Sequence, residues 1–76
     1  MEYFEGDIVE LMNFYIHPGG DGYYINQYGF IPKVGERFRV AYDSSSEGED
    51  SLVSVHSGLM RNIYFKQSQI FLYKRP

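Results

Sequence analysis

Side chains able to bind a metal ion are sparse in this sequence. It contains no cysteine, and its two histidines, His17 and His56, lie in a glycine-rich turn and at the end of an apolar run. A zinc site normally takes about four ligands from histidine, cysteine or carboxylate side chains. Nothing in the spacing pairs the two histidines, so we expect both to lie at the surface. We predict no metal site and no cofactor.

The acidic run at residues 43–50 (DSSSEGED) is the closest match to a cation-binding loop. Asp43 and Glu47 occupy positions typical of the start of a calcium loop. However, Ser54 stands where the bidentate glutamate of such a loop belongs, and the flanking residues have the pattern of strands instead of helices. The run is therefore interpreted as a solvated loop.

Residues that could carry out catalysis are equally isolated. The three consecutive serines at 44–46 have no histidine or lysine nearby that could activate a hydroxyl group. The stretch GGDG at 19–22 has the glycines of a phosphate-binding loop but lacks the helix and lysine that follow one. We therefore expect a protein that is not an enzyme.

The length and composition predict one small domain with an aromatic core. The chain has 76 residues, which is enough for a single domain over 1–76, and it includes eight tyrosines and six phenylalanines. With no disulfide available, these rings must supply most of the buried area. No apolar stretch approaches the ~20 residues of a membrane span, and no basic-then-apolar leader opens the chain. We expect a soluble cytoplasmic protein that makes no membrane contact.

Alternation of apolar and polar residues predicts five short strands and no helix. The predicted strands cover 6–12, 36–42, 51–56, 61–65 and 70–74, and a 3₁₀ turn is predicted at 66–69. The side chains expected to face inward are Val9, Phe38, Val40, Val55 and Ile63, with Tyr42 on the same face as Phe38 and Val40. Five short strands in so small a chain favour an all-β barrel, because closure removes exposed sheet edges.

A long connection, residues 13–35, separates the first two predicted strands. It holds five of the eight glycines and two of the three prolines, and it is rich in tyrosine and phenylalanine. A segment this aromatic is not typical of a disordered linker. We refer to it as the aromatic loop, and we expect it to fold over the barrel, with a tight turn at HPGGDG (17–22).

The order of these parts resembles the SH3-like barrel. In that comparison the aromatic loop takes the place of the RT loop, residues 43–50 the n-Src loop, 57–60 the distal hairpin and 66–69 the 3₁₀ turn. The sequence motifs of peptide-binding SH3 domains are absent: there is no ALYDY in the first strand and no tryptophan after the polar loop. Recognition of proline-rich peptides is therefore not expected.

A closer resemblance is to the small SH3-like proteins of tailed, T-even-type bacteriophages. These tend to combine a first strand of the pattern GD-V, a central VG-x-x-F-x-V and an aromatic or leucine-ended last strand. The matching residues here are Gly6, Asp7, Val9, Val34, Gly35, Phe38, Val40, Phe71 and Leu72. The resemblance implies a small five-stranded barrel, and a protein that binds and modulates or inhibits a larger host or phage protein in the host cytoplasm.

The aromatic loop and the arginines that follow it are the predicted contact site for another protein. Tyrosine and arginine dominate interface hot spots, and the loop has more rings than a barrel of this size is expected to bury. The predicted partner-binding residues are Tyr23, Tyr24, Tyr28, Phe30, Arg37 and Arg39. The alternative interpretation is that these rings cap the end of the barrel, and a homodimer through the same patch is a third.

The distribution of charge leaves a second class of partner open. All ten acidic residues lie in 1–50, whereas 51–76 contain four bases and no acid. Strands from the two halves are expected to interleave and mix these charges. Arg37, Arg39, Arg61 and Lys66 beside Tyr64 would suit a single-stranded nucleic acid or RNA. The net charge of −3 favours a protein partner instead.

Overall fold

The computed structural model describes residues 2–14, 18–20, 29–44, 51–58 and 62–76. The elements along the chain are β1 (Ile8–Leu11), β2 (Arg37–Val40), β3 (Leu52–His56), β4 (Asn62–Lys66), a 3₁₀ turn (Gln67–Gln69) and β5 (Ile70–Lys74). The predicted all-β class is confirmed, and each predicted element overlaps an observed one with bounds that differ by no more than two residues.

The five strands form one open antiparallel sheet in the order β4-β3-β2-β1-β5. The last strand therefore lies beside the first, and among the described residues β4 and β5 each pair with only one neighbour. The register places Val9 opposite Phe38, Val40 opposite Val55 and Leu11 opposite Ile70. The strands of the two halves of the chain interleave, as expected.

One face of the sheet carries the hydrophobic core. Burial alternates along β1 to β4, so every second side chain points inward, as the two-residue period of a strand requires. The buried cluster consists of Tyr3, Val9, Leu11, Phe38, Val40, Val53, Val55, Ile63, Phe65 and Ile70. The five inward-facing residues predicted from the sequence are all in it. All five strands contribute side chains to this one cluster.

Tyr42 is not in the core, contrary to the prediction that grouped it with Phe38 and Val40. It is 61% exposed. Strand β2 ends at Val40, and beyond it the chain bonds to two different segments: the Ala41 N–H donates to the carbonyl of Ser54, and Ser44 forms an isolated bridge with Tyr3. The alternation that predicted an inward Tyr42 therefore stops two residues before it.

Both ends of the aromatic loop pack against the core. The Phe14 ring meets the Phe65 ring edge-on with a centroid distance of 6.4 Å, and the Phe30 ring lies 6.2 Å from that of Phe38. Phe38 and Phe65 themselves pack at 5.1 Å. The loop therefore leaves and rejoins the sheet over a continuous group of four rings.

A tight turn leads the loop back into β2. The Glu36 N–H donates to the carbonyl of Lys33 at 3.0 Å, and Gly35 has a φ of +92°. A positive φ at the third residue of a four-residue turn defines a type II turn, which favours glycine there. The Gly35 N–H then donates to the carbonyl of Leu11 at 2.8 Å, which fixes the turn to the end of β1.

The 3₁₀ turn joins three parts of the chain. The Gln69 carbonyl accepts the N–H groups of Met12 and Asn13, at 2.8 and 3.2 Å, and the Gln67 N–H donates to the carbonyl of Ser51. The Gln69 side chain accepts the Lys66 N–H at 2.9 Å and so caps the start of the turn. The turn thus holds the end of β1 and the start of β3 at the corner where β4 passes into β5.

Candidate functional site

The face of the sheet that points away from the core carries most of the described cations. Cross-strand partners share a face, so the register identifies its members. They are Ile8, Glu10, Arg37, Arg39, Leu52, Ser54, His56, Asn62, Tyr64, Lys66, Phe71, Tyr73 and Lys74. This set, called the outer face, contains four Lys or Arg residues and a single carboxylate. The interleaved strands therefore do not mix acidic and basic residues evenly. Lys and Arg residues from both halves of the sequence lie on this one surface.

Arg37 is already engaged within the outer face. Its Nε donates to Oε1 of Glu10 at 3.2 Å, and its guanidinium lies 3.7 Å from the centroid of the Tyr73 ring. Glu10 lies directly opposite Arg37 on the neighbouring strand, and Tyr73 is one strand further away on β5. The ion pair and the cation–π contact together hold the guanidinium between Glu10 on β1 and Tyr73 on β5.

Arg39 occupies the centre of the outer face. It lies opposite Ile8 on one side and His56 on the other, and Lys74 and Asn62 continue the same row across the sheet. Within the described part of the chain its guanidinium makes no hydrogen bond or ion pair. Arg39 is therefore the guanidinium that an external group can reach without displacing an existing partner.

Exposed rings flank this row on both sides. Tyr64 on β4 is 55% exposed, and Tyr73 on β5 is 48% exposed. A register shift at Ile8 and Val9 leaves both Tyr73 and Lys74 opposite Ile8, which is the two-against-one pairing of a β-bulge. The bulge inserts Tyr73 into the outer face beside Arg37. The outer face thus contains tyrosine and arginine, two residue types that are enriched at protein interfaces.

The structure describes three of the six residues that were predicted to contact a partner. Arg37 and Arg39 both lie on the outer face, as described. Phe30 is half-buried and packs against the core ring of Phe38, so it contributes to the end of the core. Tyr23, Tyr24 and Tyr28 lie outside the described residues, and their predicted contact with a partner stays a prediction.

A buried ion pair that the sequence did not indicate lies near the chain ends. The Asp7 side chain is 1% exposed and accepts hydrogen bonds from Arg75 Nε at 3.1 and 3.3 Å and from Nη2 at 2.9 Å. It also accepts the Phe4 N–H at 2.9 Å. Arg75 further donates to the carbonyl of Glu2 and lies over the Phe4 ring. We call the pair of Asp7 and Arg75 the terminal clasp.

The terminal clasp shifts the pKa values of its own two groups and contributes to that of Tyr3. The hydrogen bonds from Arg75, with a smaller contribution from the Phe4 N–H, hold the pKa of Asp7 below its ordinary value despite burial, which acts the other way. The hydrogen bond to Asp7 raises the pKa of Arg75. Burial, and secondarily the charge of Asp7, raise the pKa of the core residue Tyr3. The shifts of Asp7 and Arg75 thus follow mainly from their pairing, whereas that of Tyr3 follows mainly from its own burial.

The described residues form neither a metal-binding cluster nor a membrane-spanning helix. In the described ranges, no three His, Asp or Glu side chains gather closely enough to hold a metal ion. His56 is exposed at the end of β3, whereas His17 and most of the 43–50 run lie outside these ranges. The described part of the chain has no helix of the length and apolarity that crossing a bilayer requires.

Comparisons of the chain with models of protein families, with curated proteins and with solved structures gave no match. The case for function therefore rests on the described residues of the outer face.

Proposed function

We propose that this chain is a non-enzymatic protein-binding module, encoded by a tailed bacteriophage, that modulates or inhibits a larger host or phage protein in the host cytoplasm. The observation that carries the proposal is the central position of Arg39 on the outer face, with the exposed rings of Tyr64 and Tyr73 on the two sides of its row. The phage origin and the modulating role rest on the resemblance of the GD-V and VG-x-x-F-x-V motifs to small phage proteins.

The same proposal includes closure of the sheet into an SH3-like barrel. The strand order β4-β3-β2-β1-β5, the 3₁₀ turn before the last strand and the single core cluster all support that architecture. The predicted contact residues Tyr24 and Tyr28 belong to the proposed contact site together with Arg39.

The physical argument for a protein partner is the residue types on this surface. Aromatic rings have few rotatable bonds, so they lose little conformational entropy when an interface fixes them, and arginine supplies several donors in one plane. The outer face is separate from the buried cluster that stabilises the fold. Binding there requires no change in the core.

A nucleic-acid-binding module is the second candidate. Arg39 and Lys66 lie on the outer face together with the exposed ring of Tyr64, and bases stack on such rings. Phosphate affinity, however, comes from neutralising several charges at once. Arg37 is already paired with Glu10, and the whole chain has a net charge of −3. The protein partner is therefore the preferred proposal.

The experiment is affinity capture followed by quantitative binding. The purified chain, immobilised through a lysine-free tag, is used to identify a partner from host lysate, and the dissociation constant of the purified pair is then measured by calorimetry. Tyr24→Ala and Arg39→Ala should each weaken binding by more than ~1 kcal/mol and leave the Tm nearly unchanged. Glu5→Ala, in the exposed turn before β1 and outside both the outer face and the aromatic loop, is the matched control. Unchanged affinity in both test variants would refute the proposed contact site.

A further inference from the structure

We propose that the segment of the partner seated on the outer face is acidic and extended, and that one of its carboxylates pairs with Arg39. This inference rests on the proposed protein-binding function and specifies the chemistry of its partner. It follows from where the charges lie, from which of them are already paired, and from the spacing of the row that contains Arg39.

The charges of the described chain are divided between surfaces. Among the described residues, the outer face presents Arg37, Arg39 and Lys74, together with Lys66, which already has a contact of its own, and one carboxylate, Glu10. The other described carboxylates lie off this face: Asp7 is buried in the terminal clasp, and the rest are at the chain start or in turns (Glu2, Glu5, Glu36 and Asp43). A protein that is acidic as a whole therefore offers one positive surface, which complements an acidic partner segment.

Arg37 and Arg39 are not equivalent on this surface. Arg37 is held by Glu10 and by the Tyr73 ring, so an incoming carboxylate would compete with both contacts. Arg39 makes no such contact within the described residues, and it faces solvent from the middle of the sheet. The new ion pair, with a carboxylate of the partner, is therefore assigned to Arg39. Arg37 keeps its contacts with Glu10 and with the Tyr73 ring.

The row through Arg39 has the dimensions of an extended chain segment. Lys74, Arg39 and His56 lie in one row on β5, β2 and β3. Neighbouring strands are about 4.8 Å apart, so Lys74 and Arg39, two strands apart, are separated by roughly 10 Å at the backbone. A segment that crosses the strands meets both cations, and its side chains fall on Tyr64 and Tyr73 at the two sides.

A peptide library tests this assignment directly. The full chain is used to select from a library of randomised decapeptides, and selected peptides are synthesised and titrated into ¹⁵N-labelled protein. We expect enrichment of aspartate and glutamate, and chemical-shift changes at Arg39, His56 and Tyr64. Arg39→Gln should weaken the binding of a selected peptide by about tenfold or more. Glu5→Gln, which changes a charge outside both the outer face and the aromatic loop, should not weaken it.

The controls separate failure of this inference from failure of the proposed function. Two results would overturn the acidic-segment assignment but leave the protein-binding function intact. One is a set of selected peptides that is not enriched in aspartate and glutamate. The other is a peptide affinity that Arg39→Gln does not change. Failure to select any peptide, together with tight binding of a fifteen-nucleotide oligo-dT probe at the outer face, would overturn both. Thermal melts of each variant establish that a loss of binding is not caused by unfolding of the variant.

Discussion

The carboxylate of Asp7 and the guanidinium of Arg75 form three hydrogen bonds although 68 positions separate them in the chain. Asp7 is buried, whereas the Arg75 side chain is 43% exposed, so the pair consists of an inner anion and an outer cation. The carboxylate also completes the turn that begins at Phe4. One buried charge therefore ties the turn before β1 to the residue that follows β5.

Replacing Asp7 should make the free energy of unfolding less dependent on pH in the acidic range. Asp7→Asn removes the ion pair from a buried site and should reduce the free energy of unfolding at neutral pH by about 1–3 kcal/mol. The native pKa of Asp7 is lowered, so its contribution is complete above the pKa of the unfolded carboxyl, about 3.9, and is lost as the pH falls through the native value. Thermal melts between pH 7 and pH 2 should show the wild type and the variant converging. A constant difference in Tm over that range would contradict the clasp.

Val40→Asp should unfold the domain. Val40 has no exposed surface and lies in the core cluster, so the substitution places an unpaired charge there at a cost of several kcal/mol. Circular dichroism and the dispersion of amide proton shifts measure the result. Arg39→Asp, one residue away on the outer face, is the control and should stay folded. A cooperative melt of Val40→Asp near the wild-type Tm would show that the strand phasing is wrong.

Gly35→Ala should destabilise the turn before β2. A non-glycine residue at a φ of +92° is strained, and the cost is expected to be roughly 1–2 kcal/mol. The space around the position is open, so the effect isolates backbone conformation from packing. Val34→Ala, at the preceding exposed residue, should change the Tm very little. Urea denaturation of both variants gives the comparison, and equal stabilities would argue against a type II turn.

The protein should not bind oligonucleotides measurably at physiological salt. If Arg39, Lys66 and their neighbours did bind phosphates, affinity would fall by about 0.7–0.9 log units per contact for each tenfold rise in salt. Fluorescence anisotropy with single- and double-stranded oligonucleotides, over a series of salt concentrations, measures this slope. Sub-micromolar, salt-dependent binding that disappears in the double variant Arg37→Ala with Arg39→Ala would establish the nucleic-acid alternative in place of the protein partner.

The strands could be predicted because local alternation determines which side chains are buried. Val9 and Leu11, or Val53 and Val55, need only a two-residue period to occupy one face, and that period is visible in the sequence. Tyr42 shows where this reasoning ends. Its position depends on the bonds that Ala41 and Ser44 make to distant segments, and no local pattern encodes those partners.

The candidate site was less accessible to prediction than the strands. The outward direction of Arg37 and Arg39 follows from the alternation in β2, but the contact of Arg37 with Tyr73 depends on a bulge in β5, the most distant strand in sequence. The terminal clasp was missed for a similar reason. In the sequence, Asp7 is an ordinary turn residue and Arg75 an ordinary terminal base, and only the pairing of β1 with β5 brings them together.

That pairing also constrains when the domain can fold during synthesis. Of the five strands, β1 leaves the ribosome first, yet in the finished sheet it lies between β2 and β5, and Leu11 pairs with Ile70. A nascent chain that has reached β4 still has β1 as an open sheet edge. Folding must therefore finish after β5 emerges, and the long sequence separation of this contact favours slow closure compared with a helical domain of similar size. Until then the partly formed sheet exposes the edge most prone to pairing with other chains.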